Sequence, residues 1–115
     1  MDVKRIQRRL KKFAEVRNWK QFHSPKNLVM ALSVEVAELV EIFQWSNSSG
    51  NDEINDPETQ EKIKEEIADI FNYLLKISDE LDLDLEEVIH KKIDKNEKKY
   101  PISKSHGSSK KYSEL

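Results

Sequence analysis

The sequence predicts an all-α fold, a four-helix bundle-type domain, and three observations predict it. Only 2 glycines and 3 prolines interrupt the 115 residues. Apolar residues recur at the 3.6-residue helical period over long stretches. Twice a capping residue stands directly before proline, at Ser24-Pro25 and Asp56-Pro57. Helices commonly begin in this way, with a side-chain oxygen at the N-cap and proline at the first helical position.

The first helix is expected over residues 2–17, with Val3, Ile6, Leu10, Phe13 and Val16 as its apolar stripe. Lys4, Arg5, Arg8, Arg9, Lys11 and Lys12 fall largely off that stripe. They read either as a solvated face or as an attraction for an anionic ligand or surface. Residues 18–24 form a connection carrying Trp19, Phe22 and His23. The second helix runs from Pro25 to about Trp45, and the polar run from Ser46 to Asp52 breaks the chain. The third helix runs from Pro57 to about Leu81, with a core stripe of Ile63, Ile67, Ile70, Leu74, Ile77 and Leu81. Asp84 with Glu87 resembles a capping box. The fourth helix therefore runs from about Leu85 to Lys99, and Pro101 stops it. Residues 1–101 are expected to form one domain. Residues 102–115, rich in Ser and Lys, are expected to be a disordered tail.

Composition narrows the function. Hydrophobic and charged residues each make up 37% of the chain. That is little apolar material for a small domain, which already buries a reduced share of its surface, so oligomerisation is expected to supplement the core. A net charge of −2, from 20 basic and 22 acidic residues, gives no electrostatic footprint for nucleic acid. The absence of cysteine excludes disulfides, thiol nucleophiles and Cys-ligated zinc. No apolar segment follows the basic N-terminal stretch as in a signal peptide, and none reaches membrane-spanning length. The expectation is a soluble cytoplasmic protein with no membrane partner.

The chemistry lies in two pairs of acids, Glu35 with Glu38 and Glu66 with Asp69. Each pair is spaced i, i+3, so its members share one helix face. One such pair alone is ordinarily a solvated face. Here, however, residues 28–43 are apolar nearly all round apart from Ser33 and acids, and a helix of that kind is normally buried. Buried carboxylates require a partner or a metal. Two like charges about 4 Å apart repel by roughly 4 kcal/mol at an effective dielectric of about 20. Packing the two pairs together would thus demand a counter-charge, and a hard cation with oxygen ligands supplies it. An all-oxygen set favours Mg²⁺ or Mn²⁺ over iron or zinc. Neither pair carries the Glu-x-x-His of di-iron bundles, since His23, His90 and His106 lie elsewhere. Along the acid faces, Trp45 and Tyr73 follow within one or two turns, and Lys76 continues the second. On the fourth helix, Lys92 and Asn96 fall on or beside the inward stripe. They either hold phosphate oxygens, or snorkel and bond to backbone or water.

Several segments in order resemble a known family. They are Phe13-Ala14-Glu15-Val16-Arg17-Asn18-Trp19, Gln21-Phe22-His23-Ser24-Pro25-Lys26-Asn27-Leu28, Glu35-Val36-Ala37-Glu38 with Phe43-Gln44-Trp45, Glu66-Ile67-Ala68-Asp69 with Tyr73, and Lys92-Ile93-Asp94 with Asn96 and Tyr100-Pro101. Across about residues 3–101 the chain resembles the MazG-like all-α nucleoside triphosphate pyrophosphohydrolases, in the branch similar to dCTP pyrophosphatase. The resemblance implies a Mg²⁺-dependent hydrolase, with Mn²⁺ as a substitute, that converts a nucleoside triphosphate to monophosphate and pyrophosphate. It implies that Glu35, Glu38, Glu66 and Asp69 bind the metal and serve catalysis, one of them or a water they orient starting the attack on the α-phosphorus. It implies that Trp19, Trp45 and Tyr73 enclose the base, with Lys92 and Asn96 toward phosphate. His23 is a matched position that reads equally as a ligand or as a helix-entry residue. The implied assembly is a homotetramer, a dimer of dimers, and the implied biology is cleansing the nucleotide pool of unwanted or modified dNTPs. Leu10 stands where this branch often has histidine, which bears on base preference rather than on metal chemistry. A dUTP-type hydrolase and a non-catalytic helical interaction module are the competing expectations.

Overall fold

The computed structural model describes residues 1–44 and 55–115. Trp45 lies outside the described residues. In order the elements are α1 (Val3–Val16), a 3₁₀ turn (Lys20–Phe22), α2 (Pro25–Phe43), α3 (Pro57–Glu80), α4 (Leu85–Lys99), α5 (Ile102–Ser105) and a second 3₁₀ turn (Tyr112–Glu114). The all-α expectation holds, and no strand occurs among the described residues. No helix among them is long and apolar enough to cross a membrane.

The helix starts follow from short polar side chains. The Ser24 hydroxyl accepts from the Asn27 N–H at 3.2 Å. The Asp56 carboxylate accepts from the Thr59 N–H at 3.0 Å and from its hydroxyl at 2.9 Å. Asp84 accepts from the Glu87 N–H at 3.2 Å, and Asp2 caps α1 through the Arg5 N–H at 3.0 Å. Each bond satisfies an N–H that has no partner inside its helix. The end of α1 is equally specific. Asn18 takes φ of 54°, a left-handed conformation that asparagine tolerates. The Trp19 N–H then reaches back to the Ala14 carbonyl at 2.9 Å and the Asn18 N–H to Glu15 at 3.0 Å. This Schellman closure turns Trp19 onto Phe13, edge to face at 5.7 Å between ring centroids.

The chain forms two compact units, Met1–Asp82 and Leu83–Leu115. In the first, α3 packs along α2 and also against α1. Its fully buried side chains differ from the expected stripes. Ala14, Leu28 and Leu75 are buried, together with the polar Gln7 and Ser78. The Gln7 amide donates to the Leu75 carbonyl at 2.9 Å and to the Ser78 hydroxyl at 3.3 Å. The Ser78 hydroxyl in turn donates to the Leu75 carbonyl at 3.0 Å. These bonds replace water at the amide nitrogen and pin α1 to α3, while the Gln7 Oε1 is buried without a partner among the described residues. On α3, Ile67, Leu74 and Leu81 are exposed, since a helix packed against two neighbours turns an adjoining line, Leu75 and Ser78, to the interior. On α1 the expected stripe is only half-buried, with Phe13 and Val16 exposed.

The expectation of a buried α2 is corrected for the single chain. Leu28 is its one fully buried residue, and Val29, Met30, Val34, Val36 and Val40 are 42–60% exposed. One neighbouring helix covers only part of a helix that is apolar nearly all round. In the second unit, α4 has no fully buried residue. The segment expected to be a disordered tail carries α5 and a 3₁₀ turn. Pro101 stands as N-cap of α5, and the Tyr112 ring meets Tyr100 edge to face at 6.2 Å. The Lys99 ammonium lies 4.9 Å from the Tyr112 ring centroid.

Candidate functional site

α2 and α3 bring the two acid pairs together. Carboxylate oxygens of Glu35, Glu38 and Glu66 all lie within 4.8 Å of one another. Among the described residues this is the one group of three or more ligand-bearing side chains so arranged. Asp69 stands outside that tight trio but acts on it electrostatically. Burial, a hydrogen bond with Glu66, and repulsion from Glu38 and Asp69 push the Glu35 carboxyl up to about 7. Burial also raises the Glu66 carboxyl, against a hydrogen bond with Glu35 that lowers it, with Glu38 and Asp69 adding to the rise. Crowded like charges and burial both favour the protonated form of these carboxyls.

The donor set fits a hard divalent ion. One oxygen of Glu35 and one of Glu66, each Oε2, is buried with no hydrogen-bond partner among the described residues. Buried orphan acceptors are uncommon in proteins, and these two sit where acids converge. Ser33 is not part of the group, because its hydroxyl donates to the Met30 carbonyl within α2.

Beside the acids opens a cavity of about 400 Å³, lined by Asp69, Asn72, Tyr73 and Lys76 from α3, by Ile6, Arg9, Leu10 and Phe13 from α1, and by Trp19. The half-buried apolar stripe of α1 is therefore a cavity wall. Burial and the nearby negative charge of Glu35 and Asp69 push the Tyr73 phenol up, so it keeps its proton and remains a donor. Arg17 stacks on Phe13, the ring that Trp19 meets, with its guanidinium carbon 3.6 Å from the Phe13 ring centroid.

The sequence-predicted residues thus divide. Glu35, Glu38 and Glu66 converge. Asp69, Trp19 and Tyr73 share the aromatic cavity, and Leu10 is in its wall. His23 lies instead in a neighbouring cavity of about 260 Å³ with Gln7, Lys20 and Asp79. Burial, then Lys76, holds its imidazole below the usual range, with Glu80 opposing. Lys92 and Asn96 are exposed on α4, in the second unit. Sequence reasoning passed over Asn72 and gave no role to Lys76, although both follow Asp69 at helical spacing.

The class defined by this fold and site is an all-α protein with a cluster of carboxylates that could hold a metal ion, beside an aromatic cavity. Residues 30–115 match the MazG-like family. The chain is 38% identical to mouse dCTP pyrophosphatase 1 over 115 residues, covering 99% of this chain and 66% of that protein. The human counterpart is 37% identical over the same length. The chain thus spans slightly less than two thirds of these curated relatives. The crystal structure of a pyrophosphatase from Archaeoglobus fulgidus superimposes with a TM-score of 0.81 at 38% identity, covering 88% of this chain and 94% of that one. The chain belongs to the MazG-like family.

Proposed function

We propose that the protein is a Mg²⁺-dependent nucleoside triphosphate pyrophosphohydrolase, acting on dCTP or modified deoxynucleoside triphosphates to keep the nucleotide pool clean. The observation that carries this reading is the convergence of Glu35, Glu38 and Glu66 beside a cavity that shares Asp69 with an aromatic lining. The similarity to dCTP pyrophosphatases supports it.

Glu35, Glu38, Glu66 and Asp69 would hold the metal, with Mn²⁺ as a substitute. Bound there, it supplies positive charge that neutralises phosphate oxygens. The chain's own groups do the rest by positioning, which dominates phosphoryl transfer. Trp19, braced by Phe13, offers a flat face on which a base stacks. Trp45 is assigned the same task, and Tyr73 adds a second aromatic wall and a phenolic donor. One of the four carboxylates accepts a proton from the attacking water. The bond from the α-phosphorus to the bridging oxygen breaks, and pyrophosphate leaves. Lys92 and Asn96 are assigned to the phosphates, and His23 to the nucleotide from the neighbouring cavity. Copies of the chain assemble as a dimer of dimers, which the exposed valines of α2 favour.

The test is pyrophosphate release from a panel of canonical and modified dNTPs and NTPs, with Mg²⁺ and with chelator. Chelator-sensitive formation of monophosphate plus pyrophosphate is expected. A folded, metal-loaded protein that turns over no nucleotide would overturn the proposal.

A further inference from the structure

Besides the exposed Arg9, the aromatic cavity holds two half-buried polar side chains to which hydrolysis assigns no task, Asn72 and Lys76. They lie one turn apart on α3, on the face that also carries Asp69 and Tyr73. Lys76 is half-buried, and no carboxylate among the described residues lies within ion-pair distance of it. Its ammonium instead sits 5.3 Å from the Tyr73 ring centroid. Burial lowers its affinity for the proton. Asn72 is half-buried as well and makes no hydrogen bond among the described residues. A partly desolvated ammonium and a free amide in one cavity are unspent hydrogen-bonding capacity.

Position separates this pair from the metal end. Asp69 and Lys76 are seven residues apart, which places them roughly 10 Å apart along the helix axis. A nucleotide whose phosphates meet the acids extends its base along the same face, between Trp19 and Tyr73. An ammonium has donors only, so it selects acceptors, whereas an amide offers both a donor and an acceptor. The edge of uracil presents two ring carbonyls flanking N3–H, and that of cytosine the O2 carbonyl and N3 as acceptors with the N4 amino group as donor, so each satisfies both. Adenine lacks any carbonyl and places an amino donor on its pairing edge. Leu10, across the cavity, contributes contact without a hydrogen bond.

We propose that Lys76 and Asn72 read the edge of the base and favour one that bears a carbonyl over adenine, Lys76 donating to a carbonyl oxygen and Asn72 bonding to the neighbouring polar group. This assignment rests on the hydrolase reading above. Sites built to hydrogen-bond a substrate group discriminate strongly against analogues that lack it, because their own polar groups are then left unpaired.

The experiment compares kcat/KM for dCTP, dUTP and dATP in the wild type, Lys76→Met, Lys76→Arg and Asn72→Leu. Circular dichroism and the Mg²⁺-induced thermal shift verify that each variant is folded and binds metal. Binding of inorganic tripolyphosphate is measured alongside. Lys76→Met is expected to lower kcat/KM for the preferred pyrimidine by about tenfold to a hundredfold, chiefly through KM, and to narrow its lead over dATP. Lys76→Arg retains part of that lead, and tripolyphosphate binding is unchanged. If Lys76→Met weakens all three nucleotides and tripolyphosphate alike, Lys76 serves the phosphates and the inference is overturned. An active wild type whose base ranking no variant alters overturns this inference alone. A wild type inert toward every nucleotide removes the hydrolase reading and this inference with it.

Discussion

Replacing Glu35 by glutamine in the metal-free protein will make it more stable at alkaline pH. The Glu35 carboxyl rises from 4.5 to about 7 in the folded chain. The folded state therefore holds this proton more tightly than the unfolded state does. Below about pH 4.5 both states are protonated and stability is fully present. As the pH rises through 7 the folded state must surrender the proton, and that stability is lost. At about 1.36 kcal/mol per unit the upper limit is roughly 3.4 kcal/mol. Glu35 is partly open to solvent, and screening reduces the figure to about 1–2 kcal/mol. Glutamine carries no charge, and its amide can donate to the orphan oxygen of Glu66. The assay is urea denaturation with chelator at pH 4.5 and pH 8, at fixed protomer concentration. Glu35→Gln should exceed the wild type at pH 8 by about 1–2 kcal/mol and match it at pH 4.5. Added Mg²⁺ should stabilise the wild type and leave the variant nearly unmoved. A variant no more stable than the wild type at pH 8, or more stable by the same amount at both pH values, would refute the reasoning.

Glu38→Ala and Asp69→Ala should each lower turnover by more than about a hundredfold without unfolding the protein, because the lost charge stabilisation is worth several kcal/mol. Pyrophosphate release together with circular dichroism checks this, and wild-type activity in either variant would remove that residue from the metal site. Trp19→Ala should raise KM by roughly fivefold to a hundredfold, the equivalent of about 1–3 kcal/mol of stacking, and change kcat less. A kcat loss at unchanged KM would argue against base stacking. Gln7→Ala should cost about 2–3 kcal/mol, as it removes two buried hydrogen bonds and leaves a void between α1 and α3. Ser78→Ala should cost only about 1 kcal/mol, since the Gln7 amide still serves the Leu75 carbonyl. Equal losses in urea melts of the two variants would contradict that account.

Local chemistry made most of the fold legible. The Ser24, Asp56 and Asp84 caps start their helices where their sequence signals place them. The acid spacing announced four residues, and three of them, Glu35, Glu38 and Glu66, converge. Burial was read less well, for a physical reason. Periodicity identifies an apolar face but not what the face meets. Ile6, Leu10 and Phe13 have the spacing of a core stripe, yet they line a cavity, while Gln7 is buried on the adjoining line. No pattern of apolar residues reveals a glutamine whose amide finds a carbonyl on a helix distant in sequence. His23 illustrates the same limit, since adjacency to Trp19 in sequence did not decide which of two cavities it enters.

The places where the chain breaks the ordinary rules of a stable helical domain are also the places where its chemistry gathers. Acids interrupt the most apolar helix, an apolar stripe on α1 faces open space, and a half-buried lysine has no acid partner among the described residues. Random departures of this kind would scatter over the surface. Here Glu35 and Glu66 carry two of the four buried polar atoms that lack a partner among the described residues, the others being on Gln7 and Ser105. Asp69 adjoins Glu35 and Glu66 and enters the cavity, and Phe13, Leu10 and Lys76 close its walls. Locally unfavourable choices persist in folded proteins where a ligand, a metal or another subunit completes them. Each departure names its complement. Clustered acids call for a cation, an aromatic cavity with unspent donors calls for a base, and the bare valines of α2 call for another apolar surface. A protomer examined without metal, nucleotide and neighbours should therefore be less stable than its helix caps and buried Gln7 bonds would suggest, and each of the three partners should restore a separate share of that stability.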